Sequence, residues 1–140
     1  MPLLPRKSIL AIAAVTDIAL TGHKGPVTSQ ALAKHHDLPS RHLEHVLQVL
    51  VREGILKGVR GPRGGYVLAR EQHRITVHDI LRAAITVDDE SQQPVSGSAL
   101  LVQVVHPALA QAESAFSDAL SRITVEDLAR SAATLRRRRR

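Results

Sequence analysis

The chain of 140 residues has no cysteine and no tryptophan, and its aromatic rings are limited to Tyr66 and Phe116. Without thiols it can form no disulfide, thiolate zinc site or all-cysteine iron–sulfur ligation, and such a composition suits a reducing compartment. Without rings it lacks the stacking platforms on which RRM and OB modules lay single strands. Long apolar runs are missing too. The stretch 9–15 resembles a signal-peptide core, but Asp17 follows at once and a helical pattern continues through Leu20, so export is not expected. No segment reaches the length of a membrane span. The chain also has no GxSxG, no phosphate loop and no nucleophile–base pair in a credible setting, so it does not read as an enzyme.

What is present is charge, unevenly placed. Residues 1–86 carry 12 Lys/Arg against 6 Asp/Glu, a balance of +6. Residues 87–135 carry 2 against 7, or −5, and residues 136–140 add five arginines. A basic front and an acidic rear point to a polyanionic partner for the front alone. With few rings, the core must be built from Leu, Ile, Val and Ala, which favours helices.

Periodicity and punctuation place those helices. Residues 7–21 read as a buried first helix ended by the Gly/Pro stretch at 22–26. A short helix follows in VTSQALAKHHD, with Thr28 or Ser29 as its N-cap. In LPSRHLEHVLQVLVREG, Pro39 fits the first helical position, and Leu43, Val46, Leu47, Leu50 and Val51 form a core stripe that Gly54 ends. Arg41, His45, Gln48 and Arg52 share the opposite face with His42 on its flank, a surface rich in hydrogen-bonding and cationic groups and poor in acid. A solvated helix more often alternates Glu with Lys.

The octapeptide VRGPRGGY, residues 59–66, sets two arginines among three glycines and a proline. Its short β-leaning flanks make it a small hairpin with a basic tip. Three helices followed by a hairpin is the order of a winged helix, with the second helix of the pair in the major groove. A glycine-rich tip is thin enough for a minor groove about 6 Å wide, whose negative potential would draw in Arg60 and Arg63. The expected DNA-contacting set is therefore Ser40, Arg41, His42, His45 and Gln48 on the recognition helix, with Pro39 at its entry. Lys57, Arg60, Gly61, Arg63, Gly64 and Gly65 supply the wing, and Lys7, Thr28 and Ser29 the flanks.

Behind this unit, ITVHDILRAA at 75–84 opens a helix on a Thr76-x-x-Asp79 box, and TVEDLARSAA at 124–133 opens another on the same pattern. Between them lies an acidic loop. Val102, Val105, Leu109, Ala112, Phe116, Ala119 and Ile123 then alternate spacings of 3 and 4, which is a helix-to-helix seam. Pro107 interrupts it, so the continuous helix is expected to begin near His106 or Pro107. The seam, with Leu120 beside it, reads as a dimerisation surface; a core helix folding back on its own domain is the competing reading. The expected organisation is a DNA-binding unit at 1–86, an acidic loop at 87–98, dimerisation and C-terminal helices at 99–135, and a basic tail at 136–140. The fold class is mainly α with a small β-hairpin wing.

The segments Lys7-Ser8, GPVTSQALA, LPSRHLEHVLQVLVREGILKGVRGPRGGYVLAR, ITVHDILRAA, His106-Pro107 and ITVEDLA together resemble the Rrf-two type of bacterial winged-helix regulators, the IscR/NsrR/CymR-like group. The resemblance runs through nearly the whole chain in order. It implies a cytoplasmic homodimer, in the manner of a repressor, on a palindromic double-stranded operator. It also implies DNA contacts from Arg41 and His42 and a wing at Arg60 and the glycines after it. Cluster-binding members of the family carry three cysteines where this chain has none, and Gln103 stands at the last of those positions. The resemblance is therefore to the cluster-free branch, with no cofactor and no metal expected. A small-molecule or protein effector remains open, as do two alternatives: a His-based metal or haem sensor, for which His35/His36 and His42/His45 are the nearest groups, and a winged helix serving protein contacts.

Overall fold

The computed structural model describes residues 4–36, 40–85 and 97–138, and among these the side chains of 40–42 and 136–138 are not described. Pro39 and most of the acidic loop thus lie outside the described residues. So do the side chains of Ser40, Arg41 and His42 and those of the arginine tail.

Six α-helices and one hairpin make up the described chain. They are α1 (Arg6–Thr21), α2 (Ser29–His36), α3 (Ser40–Arg52), β1 (Leu56–Val59), β2 (Gly65–Leu68), α4 (Val77–Ile85), α5 (His106–Ser121) and α6 (Val125–Arg138). The main core gathers Ala14 and Ile18 of α1, Leu32 of α2, Leu47 and Leu50 of α3, Leu56 of β1 and Ile80 of α4. A smaller cluster joins Val77 and Leu81 to Leu120, with Phe116 and Leu128 packed against it. Aliphatic side chains fill both, as a ring-poor composition requires.

Local chemistry explains the element ends. The Thr28 hydroxyl accepts the Ala31 amide at 3.1 Å and so caps α2. Helix α3 closes in a Schellman turn: Ile55 N–H donates to the Leu50 carbonyl at 2.9 Å and Gly54 N–H to Val51 at 3.0 Å, with Gly54 at φ +78°. Both Thr-x-x-Asp boxes form. Thr76 N–H donates to Asp79 Oδ2 and Asp79 N–H to Thr76 Oγ1, each at 3.1 Å. The same exchange links Thr124 and Asp127 at 3.0 and 3.1 Å. The two boxes lie side by side, since Val77 N–H bonds Ile123 O and Val125 N–H bonds Ile75 O, both at 2.8 Å. That pairing returns α6 to the first unit, where it packs along α1.

Three expectations need correction. Helix α1 is not buried all round: its inner face is sealed, but Ile9 is exposed and Ile12, Ala13 and Leu20 are half-buried. The α3 stripe takes in Val49 and leaves Val51 out, because the buried sector runs from Leu47 through Leu43, Leu50 and Val46 to Val49 and stops there. Pro107 does not mark a helix start. Residues 99–121 are helical throughout, and a π turn at Leu101–Val105 precedes the proline, with His106 N–H bonding Leu101 O. A widened turn is a usual way for a helix to accommodate an interruption of its hydrogen-bond ladder.

Candidate nucleic-acid interface

On α3 the apolar positions fix the orientation and thereby choose what faces out. With Leu43, Val46, Leu47, Val49 and Leu50 buried, His45, Gln48 and Arg52 are exposed, and Glu44 lies on their flank. Arg41 belongs to the same face by helical spacing. The hairpin follows directly. β1 and β2 pair antiparallel from Leu56↔Leu68 to Val59↔Gly65, and Lys57, Arg60, Gly61 and Arg63 are all exposed. Among the described residues Arg52, Lys57, Arg60 and Arg63 pair with no carboxylate. Four exposed cations without a carboxylate partner among the described residues, near an acid-poor helix face, form a patch of uncompensated positive charge.

The glycines do more than thin the tip. Gly61 sits at φ +112° and Gly65 at φ +152°, where L side chains are strained. A Cβ on Gly64 would stand 2.2 Å from Val59 O, and one on Gly65 would stand 2.6 Å from Val27 O. Behind Gly65 the backbone of Val27 forms a further rung: Val27 N–H donates to Tyr66 O at 3.0 Å and Tyr66 N–H to Val27 O at 2.8 Å. The wing root is therefore stitched to the segment just before α2. Tyr66 packs against the core, and its phenol is pushed up by partial burial and then by the Glu44 carboxylate of α3. Arg70 braces the far side, its Nε donating to Gly54 O at 3.2 Å and its Nη1 lying 3.7 Å from Asp79 Oδ2. Thr28 is exposed at the start of α2, with Ser29 and Lys7 half-buried.

The rear helix is laid out differently. Every described residue from 97 to 115 is exposed, including Leu100, Leu101, Val102, Val104, Val105 and Leu109. Ala112, Ala119 and Ile123 are exposed as well. Phe116 and Leu120, by contrast, are covered within their own chain, Leu120 to 8% exposure, by the cluster around Val77 and Leu81. The proximal end of the seam thus belongs to the chain's own core and the distal end to solvent.

Sequence reasoning missed one polar group. Asp17, 6% exposed on α1, has Oδ2 2.9 Å from His35 Nδ1 and 3.4 Å from His36 Nε2. The available signals were a lone acid in an apolar helix and a His pair ending the next one. Among the described residues no group of three or more His, Cys, Asp and Glu is arranged to hold a metal ion, and none of the helices is long and apolar enough to cross a membrane.

Residues 4–131 match the model of the Rrf2 family, described as an iron-dependent transcriptional regulator. The chain belongs to the Rrf2 family. The HTH-type transcriptional regulator IscR of Erwinia tasmaniensis is 35% identical over 88 residues, 63% of this chain and 51% of that protein. The chain thus spans about half the length of such curated relatives. Among solved structures, IscR of T. potens superposes with a TM-score of 0.74 at 29% identity, covering 94% of this chain and 88% of its own. CymR, the global cysteine regulator of B. subtilis, does so at 0.75 and 26%, covering 94% and 98%. These Rrf2 relatives are named as regulators, not enzymes, and their winged-helix architecture is the one described above. The residues present do not fit a thiolate-held iron–sulfur cluster. No cysteine exists to ligate one, and Gln103 lies in the exposed π turn.

Proposed function

We propose that this Rrf2 chain is a cytoplasmic, sequence-specific regulator that binds a palindromic double-stranded operator as a homodimer and acts as a repressor. Helix α3 enters the major groove, where Arg41, His42, His45 and Gln48 meet base edges and Ser40, with Pro39 at the helix entry, meets the backbone. The wing carries Arg60 and Arg63 to the adjacent minor groove, with Gly61, Gly64 and Gly65 permitting the close approach. Lys57, Lys7, Thr28 and Ser29 contribute phosphate contacts.

The observation that carries this reading is the row of exposed, unpaired cations on the wing beside an outward α3 face that holds no acid along its centre. Dimerisation is supported by the exposed apolar side chains of this helix. Leu100, Leu101, Val102, Val104, Val105 and Leu109 are all exposed, apolar surface of that kind is favoured when covered, and Val105, Leu109 and Ala112 would meet a second copy there. Phe116, Ala119, Leu120 and Ile123 continue the line toward the body.

Salt titration of operator and scrambled duplexes tests the reading. Binding through several phosphates should fall steeply with log[salt] for both, with a preference for the operator surviving at each concentration. Equal affinity for the two duplexes at every salt concentration would sink the sequence-specific reading. A surface serving protein contacts would bind neither.

A further inference from the structure

A helix in the major groove and a wing in the adjacent minor groove straddle one sugar–phosphate strand, because that strand is what separates the two grooves. Whatever the chain places between α3 and the wing tip therefore faces that strand. The place is an open hollow of about 300 Å³ at the wing root, lined by Gly58, Val59, Arg60, Gly65 and Tyr66. Arg60 is the charged residue among them, exposed and without a carboxylate partner among the described residues.

Two features of the hollow have no explanation inside the chain. Gly58 pairs with Tyr66 in the hairpin, yet a Cβ on Gly58 would meet nothing within 4 Å. Its φ is not positive either, unlike that of Gly61 and Gly65. Glycine weakens a strand, so a strand position left bare without internal need points to a close approach from outside. The second feature is the phenol of Tyr66. Its ring packs on the core, and its hydroxyl makes no hydrogen bond among the described residues. Partial burial, and after it the Glu44 carboxylate of α3, push the phenol up and so keep it a donor.

We propose that this hollow seats a backbone phosphate of duplex DNA, with the Tyr66 hydroxyl donating to a phosphate oxygen, Arg60 answering the charge and the bare backbone at Gly58 letting the strand come close. The proposal rests on the operator-binding reading and adds Gly58 and Tyr66 to it. A phosphate can only accept hydrogen bonds, and the phenol has one to give. The contact carries no base information; it fixes the register of α3 and the wing on the duplex. Because the phenol is neutral, it does so without displacing a counterion.

Fluorescence anisotropy on operator and scrambled duplexes across a salt series, with ethylation interference on the operator, tests this. Tyr66→Phe keeps the ring and removes the hydroxyl. It should weaken both duplexes by about tenfold, as loss of a hydrogen bond to a charged group does, and leave the salt slope unchanged because no charge is lost. Gly58→Val should keep or raise the unfolding midpoint in denaturant, since valine suits a strand, and still weaken both duplexes by at least about tenfold. Ethylating the seated phosphate should cost the wild type more than Tyr66→Phe, and ethylation elsewhere should cost both alike. A hydroxyl acting only on the fold would not produce that difference. Wild-type affinity in either variant, a lower midpoint in Gly58→Val, a changed slope in Tyr66→Phe, or one ethylation pattern for both proteins would each overturn the proposal and leave operator binding standing. A wild-type chain that binds no duplex would overturn both.

Discussion

Helices α3 and α5 make an instructive pair. Each has a side that its own chain leaves uncovered. On α3 that side holds His45, Gln48 and Arg52, while its aliphatic side is sealed against α2 and the hairpin. On the distal part of α5 and the π turn before it, the uncovered residues are Leu101, Val104, Val105 and Leu109, and nothing is sealed. Polar atoms left in water cost nothing, whereas apolar ones do. The α3 face is thus complete in the single chain and ready for an outside polyanion. The α5 face leaves apolar side chains in water, and the proposed second copy would cover them.

The strongest challenge to that contrast is to charge the incomplete face. Val105→Glu with Leu109→Glu should yield monomers in sedimentation velocity and lower affinity for a two-half-site duplex by about 10²–10⁴, the scale of lost bivalency, with half-site binding retained. A variant that still dimerises would show that α5 is covered in some other way. Changes on the complete face should be milder and should divide by role. Gln48→Ala should cost about 1–3 kcal/mol on the operator and relax preference at one base pair, as read by a binding-site selection. Arg63→Ala should weaken all duplexes alike and reduce the salt slope by about one unit. A full slope would place the wing tip off the DNA.

Two further tests address the frame that holds α3 and the wing. Gly65→Ala should lower unfolding stability by about 1–3 kcal/mol, since it adds both a strained φ and a clash with the Val27 backbone. Thr76→Ala should cost about 1 kcal/mol, the usual value of a lost N-cap, in denaturant titration. The smallest effect is one of pH. Backbone and side-chain hydrogen bonds from Thr124 hold the Asp127 carboxyl below its ordinary value. A carboxyl with a depressed folded value contributes stability that is present above the unfolded aspartate range and fades as pH falls through it. Asp127→Asn should accordingly flatten the acid limb of a stability–pH curve by slightly lowering the neutral region, leaving the most acid end almost unchanged.

Much of this architecture is legible in the sequence because its signals are local. Thr76-x-x-Asp79 and Thr124-x-x-Asp127 each specify their own hydrogen bonds, and Gly54 specifies its turn. The hairpin is legible from the spacing of its glycines. Helical periodicity gives a stripe but not its edges, which depend on what packs alongside, so Val49 and Val51 exchange places. Pro107 misleads because the rule for proline assumes an α-helical ladder, and the ladder here widens just before it. The outward set on α3 follows from the buried set and could be read in advance. The reason for Gly64 and Gly65 could not, since it lies in Val59 and in Val27, a strand away. Asp17 with His35 and His36 escaped for the same reason: the two helices that bring them together are distant in sequence.

The backbone rung between Val27 and Tyr66 carries a practical lesson for mutational scanning. It makes the entrance to the helix pair and the base of the finger one hydrogen-bonded piece, so slack introduced at either end is shared by both. Alanine losses measured separately on α3 and on the wing should therefore not sum, and the shortfall from additivity would gauge how stiff that shared piece is.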